Sequence, residues 1–207
     1  MDSNKRENLS YSWEFSLEKT TKEKLKKIGS NKKLQSLCFV HSRIRNSILE
    51  KLPTIRSLRI LNLAGTKITN AGLKNLVKFP NLEYLSLNCT SVTNNAFKYI
   101  SQLKFLKTLD ILGADITEDG FKLLNNGKLE ALNADYNKLN DESIRFLEKF
   151  PNLKELSLCF MNIGDSSLRS LSQVEKLEKL NVTGTNITRK CINAFKKQRP
   201  GCKVNFL

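Results

Sequence analysis

Apolar residues recur along this chain in a fixed two-part rhythm. From Leu58 the sequence reads LRILNLAGTKITNAGLKNLVKFPN, and from Leu82 it reads LEYLSLNCTSVTNNAFKYISQLKF. Further units open at Leu106, Leu129, Leu153 and Leu177, so successive spacings are 24, 24, 23, 24 and 24 residues. A step back of 24 reaches Leu34, and a second reaches Ser10, where Trp13, Phe15, Leu25 and Ile28 fill the apolar slots. At the other end, GCKVNFL at 201–207 supplies half a unit through Val204 and Phe206. The chain therefore divides into a tail at 1–9, a capping repeat at 10–33, and a solenoid at 34–207 with seven full units and a terminal half unit.

Each unit has the form L-x-x-L-x-L-x-x-T-x-I-T-x-x-(small)-L-x-x-L. The first half has period two, which places Leu61 and Leu63 on one side of a strand. The second half spaces its apolar residues at three, as a short helix does. Position 12 is Thr21, Thr69, Thr93, Thr117, Thr188 or Asn140, all suited to cap a helix N-terminus. Arg45 and Gly164 break that pattern and predict less crisp starts. Acidic residues follow the cap at Glu118–Asp119, Asp141–Glu142 and Asp165, where the helix dipole favours them. Position 15 is small (Gly72, Ala96, Gly120, Ser143, Ser167, Cys191), so a helix can lie close to the core. The unit of 23 residues ends in Asn125-Asn126-Gly127-Lys128, which predicts a shortened helix exit.

No single unit can bury its own apolar face, so neighbours must stack. The predicted architecture is an α/β solenoid with a parallel sheet on the concave face and short helices on the convex face. The pattern resembles the leucine-rich repeat family, in its 24-residue bacterial type. It is similar to the F-box leucine-rich-repeat receptors and to secreted bacterial virulence proteins. The resemblance implies recognition of another protein rather than catalysis. From the virulence proteins it implies an effector acting in a host cytoplasm. From the receptors it implies, as an alternative, a ubiquitin-ligase adaptor lacking its own F-box, since about nine residues precede the first unit.

Composition narrows the chemistry. Apolar residues make up 40% of the chain, enough for a packed core, and no apolar run approaches a membrane span. The first fifteen residues hold no uninterrupted apolar stretch, so no Sec leader is expected, and a cytoplasmic site follows. Five cysteines without a C-x-x-C spacing, and a single His, predict free thiols, no zinc site and no cofactor. Cys38 and His41 are the one cysteine–histidine pair close in sequence. Three strand residues span about 10 Å, beyond the reach of a nucleophile and its base. Gly65, Gly113 and Gly184 fall at position 8, where a turn needs them, rather than in a phosphate loop. We expect no enzyme.

The charge of +15 is unevenly placed. Residues 1–57 carry 13 basic and 6 acidic side chains, residues 58–188 carry 16 and 14, and residues 189–207 carry 6 and none. Two readings stand. Lysines solvate the ends and discourage stacking between molecules, or Lys19–Lys33 and the basic tail meet an anionic surface, nucleic acid or lipid. No aromatic interleaves the lysine run, which disfavours specific nucleic-acid binding.

Alternation assigns positions 3, 5 and 7 of each unit to the concave face. Those slots hold four acids (Glu14, Asp110, Asp135, Glu155) and two lysines, so the inner surface is slightly acidic in a basic protein. At position 8, Tyr136 and Phe160 stand in adjacent units, followed by Met161. With Tyr84, Leu112 and Cys159 they outline an apolar and aromatic patch bordered by Asp110, Asn133, Asp135 and Glu155. Such a patch describes a protein–protein hot spot. Alternatively, Tyr136 and Phe160 fold over their loop and complete its core. The candidate partner-binding residues are Tyr84, Asp110, Leu112, Asp135, Tyr136, Glu155, Cys159 and Phe160.

Overall fold

The computed structural model describes residues 12–14, 27–28 and 31–206. Side chains of the first strand, most of the Lys19–Lys33 run and the predicted cap at Thr21 lie outside the described residues. The strands are β1 (Ser12–Glu14), β2 (Ser36–Cys38), β3 (Ile60–Asn62), β4 (Tyr84–Ser86), β5 (Thr108–Asp110), β6 (Ala131–Asn133), β7 (Glu155–Ser157), β8 (Lys179–Asn181) and β9 (Lys203–Asn205). They form one parallel sheet in sequence order, each strand paired in register with the next. Helices return the chain between strands: α1 (Asn46–Lys51), α2 (Asn70–Leu73), α3 (Phe97–Ile100), α4 (Glu118–Leu123), α5 (Asp141–Ile144), α6 (Asp165–Leu171) and α7 (Arg189–Gln198). Helices α2 and α5 run on into 3-10 turns at Lys74–Lys78 and Arg145–Lys149, and a 3-10 turn at Asn94–Ala96 leads into α3. No such turn follows α4 in the 23-residue unit, but none follows α1 or α6 in 24-residue units either, so the missing residue does not set this difference.

The core is continuous from Ile28 to Val204. Apolar residues at positions 1, 4 and 6, mostly leucine, bury against apolar residues from the helices, such as Phe97 and Phe121. Removing this surface from water is the main term holding the repeats together.

The helix starts differ from the capping expectation. Thr69, Thr93 and Thr117 make no side-chain hydrogen bond to their own helices. Each hydroxyl accepts instead from the asparagine at position 13 of the preceding unit: Asn46, Asn70 and Asn94, at 2.9, 2.7 and 2.7 Å. Each asparagine Oδ1 in turn accepts the backbone N–H of that threonine, at 2.9–3.0 Å. A two-point bond between units outcompetes a local cap because it satisfies two buried-edge polar groups at once. Asp165 also holds Thr188 at two points, accepting both its N–H and, with the direction reversed, its hydroxyl, and Asp141 accepts from Gly164 N–H and Ser167 Oγ. These acids therefore join units, beyond any effect on the helix dipole. Asn140 and Thr188 do cap their own helices. Arg45 and Gly164 lack a cap, yet α1 and α6 start as regularly as the threonine-led helices, because hydroxyl capping was never what set those starts.

The same asparagines explain position 15. A Cβ on Gly72 or Gly120 would collide with Asn46 Oδ1 or Asn94 Oδ1. The residue is small because the neighbouring unit's side chain fills that space.

Helix ends are also joined across units. Lys78 Nζ donates to the carbonyls of Leu49, Glu50 and Leu52 at 3.1, 2.7 and 3.0 Å, closing the end of α1. The Arg199 guanidinium does the same past α6, donating to Ser172 and Val174 carbonyls at 2.9 Å and to Glu175 at 2.6 Å.

Candidate functional site

Each strand is three residues long, and this sets which side chains face outward. Positions 3 and 5 project on the concave side. Beyond position 5 alternation ends, though pairing goes on: the position 8 N–H donates to the position 7 carbonyl of the next unit. Examples are His41 to Ala64, Gly113 to Asp135, Tyr136 to Cys159 and Phe160 to Thr183, at 2.9–3.0 Å. To make that bond and still turn, position 8 takes a left-handed backbone in every unit whose position 8 is described: φ is 51° to 68° at His41, Gly65, Cys89, Gly113, Tyr136, Phe160 and Gly184. Glycine adopts this freely, whereas other residues lose on the order of 1–2 kcal/mol there.

Side chains at position 8 lean onto the following unit. His41 covers Gly65 and Cys89 lies beside Gly113. The Tyr136 and Phe160 rings stack with centroids 4.5 Å apart and planes 17° apart. Phe160 then lies over Gly184, where a Cβ would come within 2.5 Å of its Cδ1. The result is an aromatic platform along the rim. Tyr136 is 55% exposed and Phe160 51%. They do not close over the loop; position 9 does, through Ser42, Thr66, Thr90 and Met161, all buried.

Three residues expected at the patch or its border, Cys159, Met161 and Asp135, are buried. Cys159 is 5% exposed and Met161 is buried, so neither contributes to the exposed patch. Position 7 lies past the end of the strand, where alternation no longer holds the side chain on the open face, and both Asp135 and Cys159 are buried there. Burial raises the Cys159 thiol above its usual range. Asp135, also at position 7, is 9% exposed, and its Oδ1 accepts the Cys159 N–H at 2.7 Å. It is built into the rim rather than bordering an open patch. Leu112 is half-buried at the same position, with its N–H donating to Asn88 Oδ1 at 2.8 Å.

Tyr84, Asp110 and Glu155 do face the concave side. The Tyr84 hydroxyl donates to Asp110 Oδ2 at 2.5 Å across adjacent strands. Burial, then the Asp110 carboxylate, pushes the Tyr84 phenol up to about 12. Burial also holds Asp110 above the usual aspartate range; the Tyr84 hydroxyl opposes this and the charge of Asp135 reinforces it. Glu155 pairs with Lys179 at 2.5 Å. Cys38 is half-buried and His41 stands at the rim over Gly65.

The concave face expected from alternation forms a groove that reaches past the named candidates to Asn181 and Asn205. A shallow concavity of about 430 Å³ runs from Asp110 across Asn133, Ser157 and Asn181 to Asn205, with Glu155 and Lys179 on its floor. Asn133 and Asn181 each turn Oδ1 onto the N–H two residues on, which leaves their amide donors toward the groove. The run of position 5 residues (Asp110, Asn133, Ser157, Asn181, Asn205) was the available signal. A second row, at position 2, alternates Arg59, Glu83, Lys107, Glu130, Lys154 and Glu178 along the opposite rim. Its pairs include Lys107–Glu83 at 2.8 Å and Lys154–Glu130 at 3.0 Å. Among the described residues, no helix is long and apolar enough to cross a membrane.

Comparison with known proteins agrees with this geometry. The family profile described as a leucine-rich repeat region matches residues 33–198. Internalin C2 from Listeria monocytogenes is 25% identical over 78% of this chain and 64% of its own, with a TM-score of 0.57. The ectodomain of the Arabidopsis receptor kinase HAESA, solved with a peptide hormone ligand, is 17% identical over 84% of this chain and 30% of its own, with a TM-score of 0.58. This chain thus spans under two thirds of the length of either. No curated protein matches the sequence.

Proposed function

Since the chain belongs to the leucine-rich repeat family, we propose that it is a recognition module that holds a partner protein along the groove and the Tyr136–Phe160 rim. One observation carries the reading. Two large aromatics stand half-exposed at a left-handed backbone position that three other units fill with glycine. The fold does not need those rings, and it loses stability by placing non-glycine residues there. Exposed aromatics beside oriented amide donors are the usual chemistry of a protein-binding hot spot. A preformed groove also costs little ordering entropy on binding. The solved complex of the receptor ectodomain with a peptide supports a polypeptide ligand. Action as a secreted effector in a host cytoplasm belongs to the same proposal, and a translocation reporter fused to the chain tests it.

The test is affinity capture from a eukaryotic lysate, comparing the native chain with a Tyr136→Gly/Phe160→Gly variant. A protein held by the native chain and lost by the variant supports recognition at the rim. Equal retention by both chains, removed by salt, assigns binding to the basic ends and refutes the proposal.

A further inference from the structure

Positive charge gathers on the convex side of the middle units. The three units from Leu58 to Lys128 place six lysines and two acids on their helix and return segments, at 70–81, 94–105 and 118–128. Their strand and loop positions balance three basic against three acidic residues. Both convex acids, Glu118 and Asp119, are paired with Lys122, at 2.7 and 3.5 Å. Lys78 is committed to carbonyls at the end of α1, and Lys74 stands 3.6 Å from Glu50. Lys98, Lys104 and Lys128 are exposed and meet no acid among the described residues.

A second, independent feature coincides with these lysines. Each of the same three units leaves one large apolar side chain in solvent: Val77 is 71% exposed, Phe105 44% and Leu123 55%. Repeat packing does not ask for them. Other units carry Ser101 and Asn125 at the position of Val77, and Asn81 and Asn152 at that of Phe105. The residues stand on adjoining elements. The turn at Lys74–Lys78 packs on α3, and α3 on α4. The Ser101 hydroxyl donates to the Leu123 carbonyl at 3.1 Å. The Lys128 ammonium lies 5.2 Å from the Phe105 ring centroid, and Lys98 lies 4.9 Å from that of Tyr99. At the usual spacing of packed helices, the patch spans about 20 Å.

We propose that this convex patch, a second surface separate from the groove, rests on an anionic lipid bilayer. Lys98, Lys104 and Lys128 meet the headgroup anions, and Val77, Phe105 and Leu123 enter the boundary between headgroups and acyl chains. Val77 and Leu123 offer no ring to a nucleic-acid base, and the Tyr99 and Phe105 rings already carry a lysine over one face, so the patch is a poor stacking platform. A convex face with one apolar side chain per unit also lacks the packed central cluster on which an acidic protein partner would anchor. A fluid bilayer needs no such cluster.

The experiment is flotation of the full chain with vesicles of phosphatidylcholine, with and without phosphatidylserine, at physiological salt. The native chain should float with the anionic vesicles and far less with the neutral ones. Lys98→Gln/Lys104→Gln/Lys128→Gln should weaken that binding by about a hundredfold, from about fivefold per lysine. Val77→Ser/Leu123→Ser should weaken it by about tenfold. Both sets of side chains are exposed, so the fold is retained, and circular dichroism checks this. Lys196→Ser/Lys197→Ser should bind as the native chain does. No flotation, native binding by either patch variant, or loss confined to the tail variant overturns the proposal. So does a preference for single-stranded RNA over anionic vesicles. Each of these results leaves the groove reading standing.

Discussion

Replacing Tyr136 by glycine and, separately, by alanine isolates the backbone term at the rim. Its φ is 55°, a region in which a Cβ costs on the order of 1–2 kcal/mol. Both substitutions delete the ring stacked on Phe160, a contact worth about 0.5–1.5 kcal/mol beyond its buried area. Because just over half of Tyr136 is exposed, the burial lost is about half that of a core tyrosine. Glycine then recovers the left-handed strain and gives back part of it, about 0.5–1 kcal/mol, to a freer unfolded chain. The glycine variant should be more stable than the alanine variant by about 1 kcal/mol. For a domain of this size that is roughly 2–4 °C in Tm. Its loss against the native chain should stay near 1–2 kcal/mol, against roughly 3–5 for Phe121→Ala in the core. Thermal and urea unfolding of the four proteins, followed by circular dichroism, reads all of this. Alanine equal to or above glycine at 136 would refute the claim that the ring is held in a backbone state the fold would sooner give to glycine.

Three further predictions follow from contacts between units. Gly120→Ala should destabilise the native chain by about 1–3 kcal/mol but cost clearly less in an Asn94→Ala background, and additive losses in that double-mutant cycle would show that the two side chains do not share space. Lys78→Met and Arg199→Met should each cost about 1–3 kcal/mol, with faster amide exchange concentrated at the ends of α1 and α6 rather than around the substituted residue. Asp110, held above the usual aspartate range by burial, binds its proton more tightly folded than unfolded. It therefore lowers stability as pH rises from the usual aspartate range through its raised value. Asp110→Asn should be the more stable protein at neutral pH, with the gap closing as pH falls into that range; a gap that widens in acid contradicts the assignment.

The sequence carried the solenoid almost completely, because the strand phase depends on a spacing that burial enforces. A slip of one residue at Leu61 or Leu85 would turn the core outward, so positions 3 to 5 became strands in every unit. What was not legible depends on what happens after the strand. Extending alternation to position 7 placed Cys159 on the surface, whereas three-residue strands end two positions earlier. The threonine at position 12 looked like a cap because its local chemistry suits one. The competing partner stands 23 residues back at Asn46, Asn70 and Asn94, and the recurrence of that asparagine was a readable signal. Tyr136 and Phe160 could be placed at the rim by counting. Their exposure needed the left-handed turn that the glycines at the same position already implied.

On the proposed reading the groove and rim, rather than the basic ends, recognise a partner protein. It is tested most directly by titrating the captured partner into three proteins: the native chain, Tyr136→Gly/Phe160→Gly, and Lys196→Ser/Lys197→Ser. The rim variant should bind at least tenfold more weakly and the tail variant with unchanged affinity, with both variants folded. Full affinity in the rim variant, with loss in the tail variant, would contradict it.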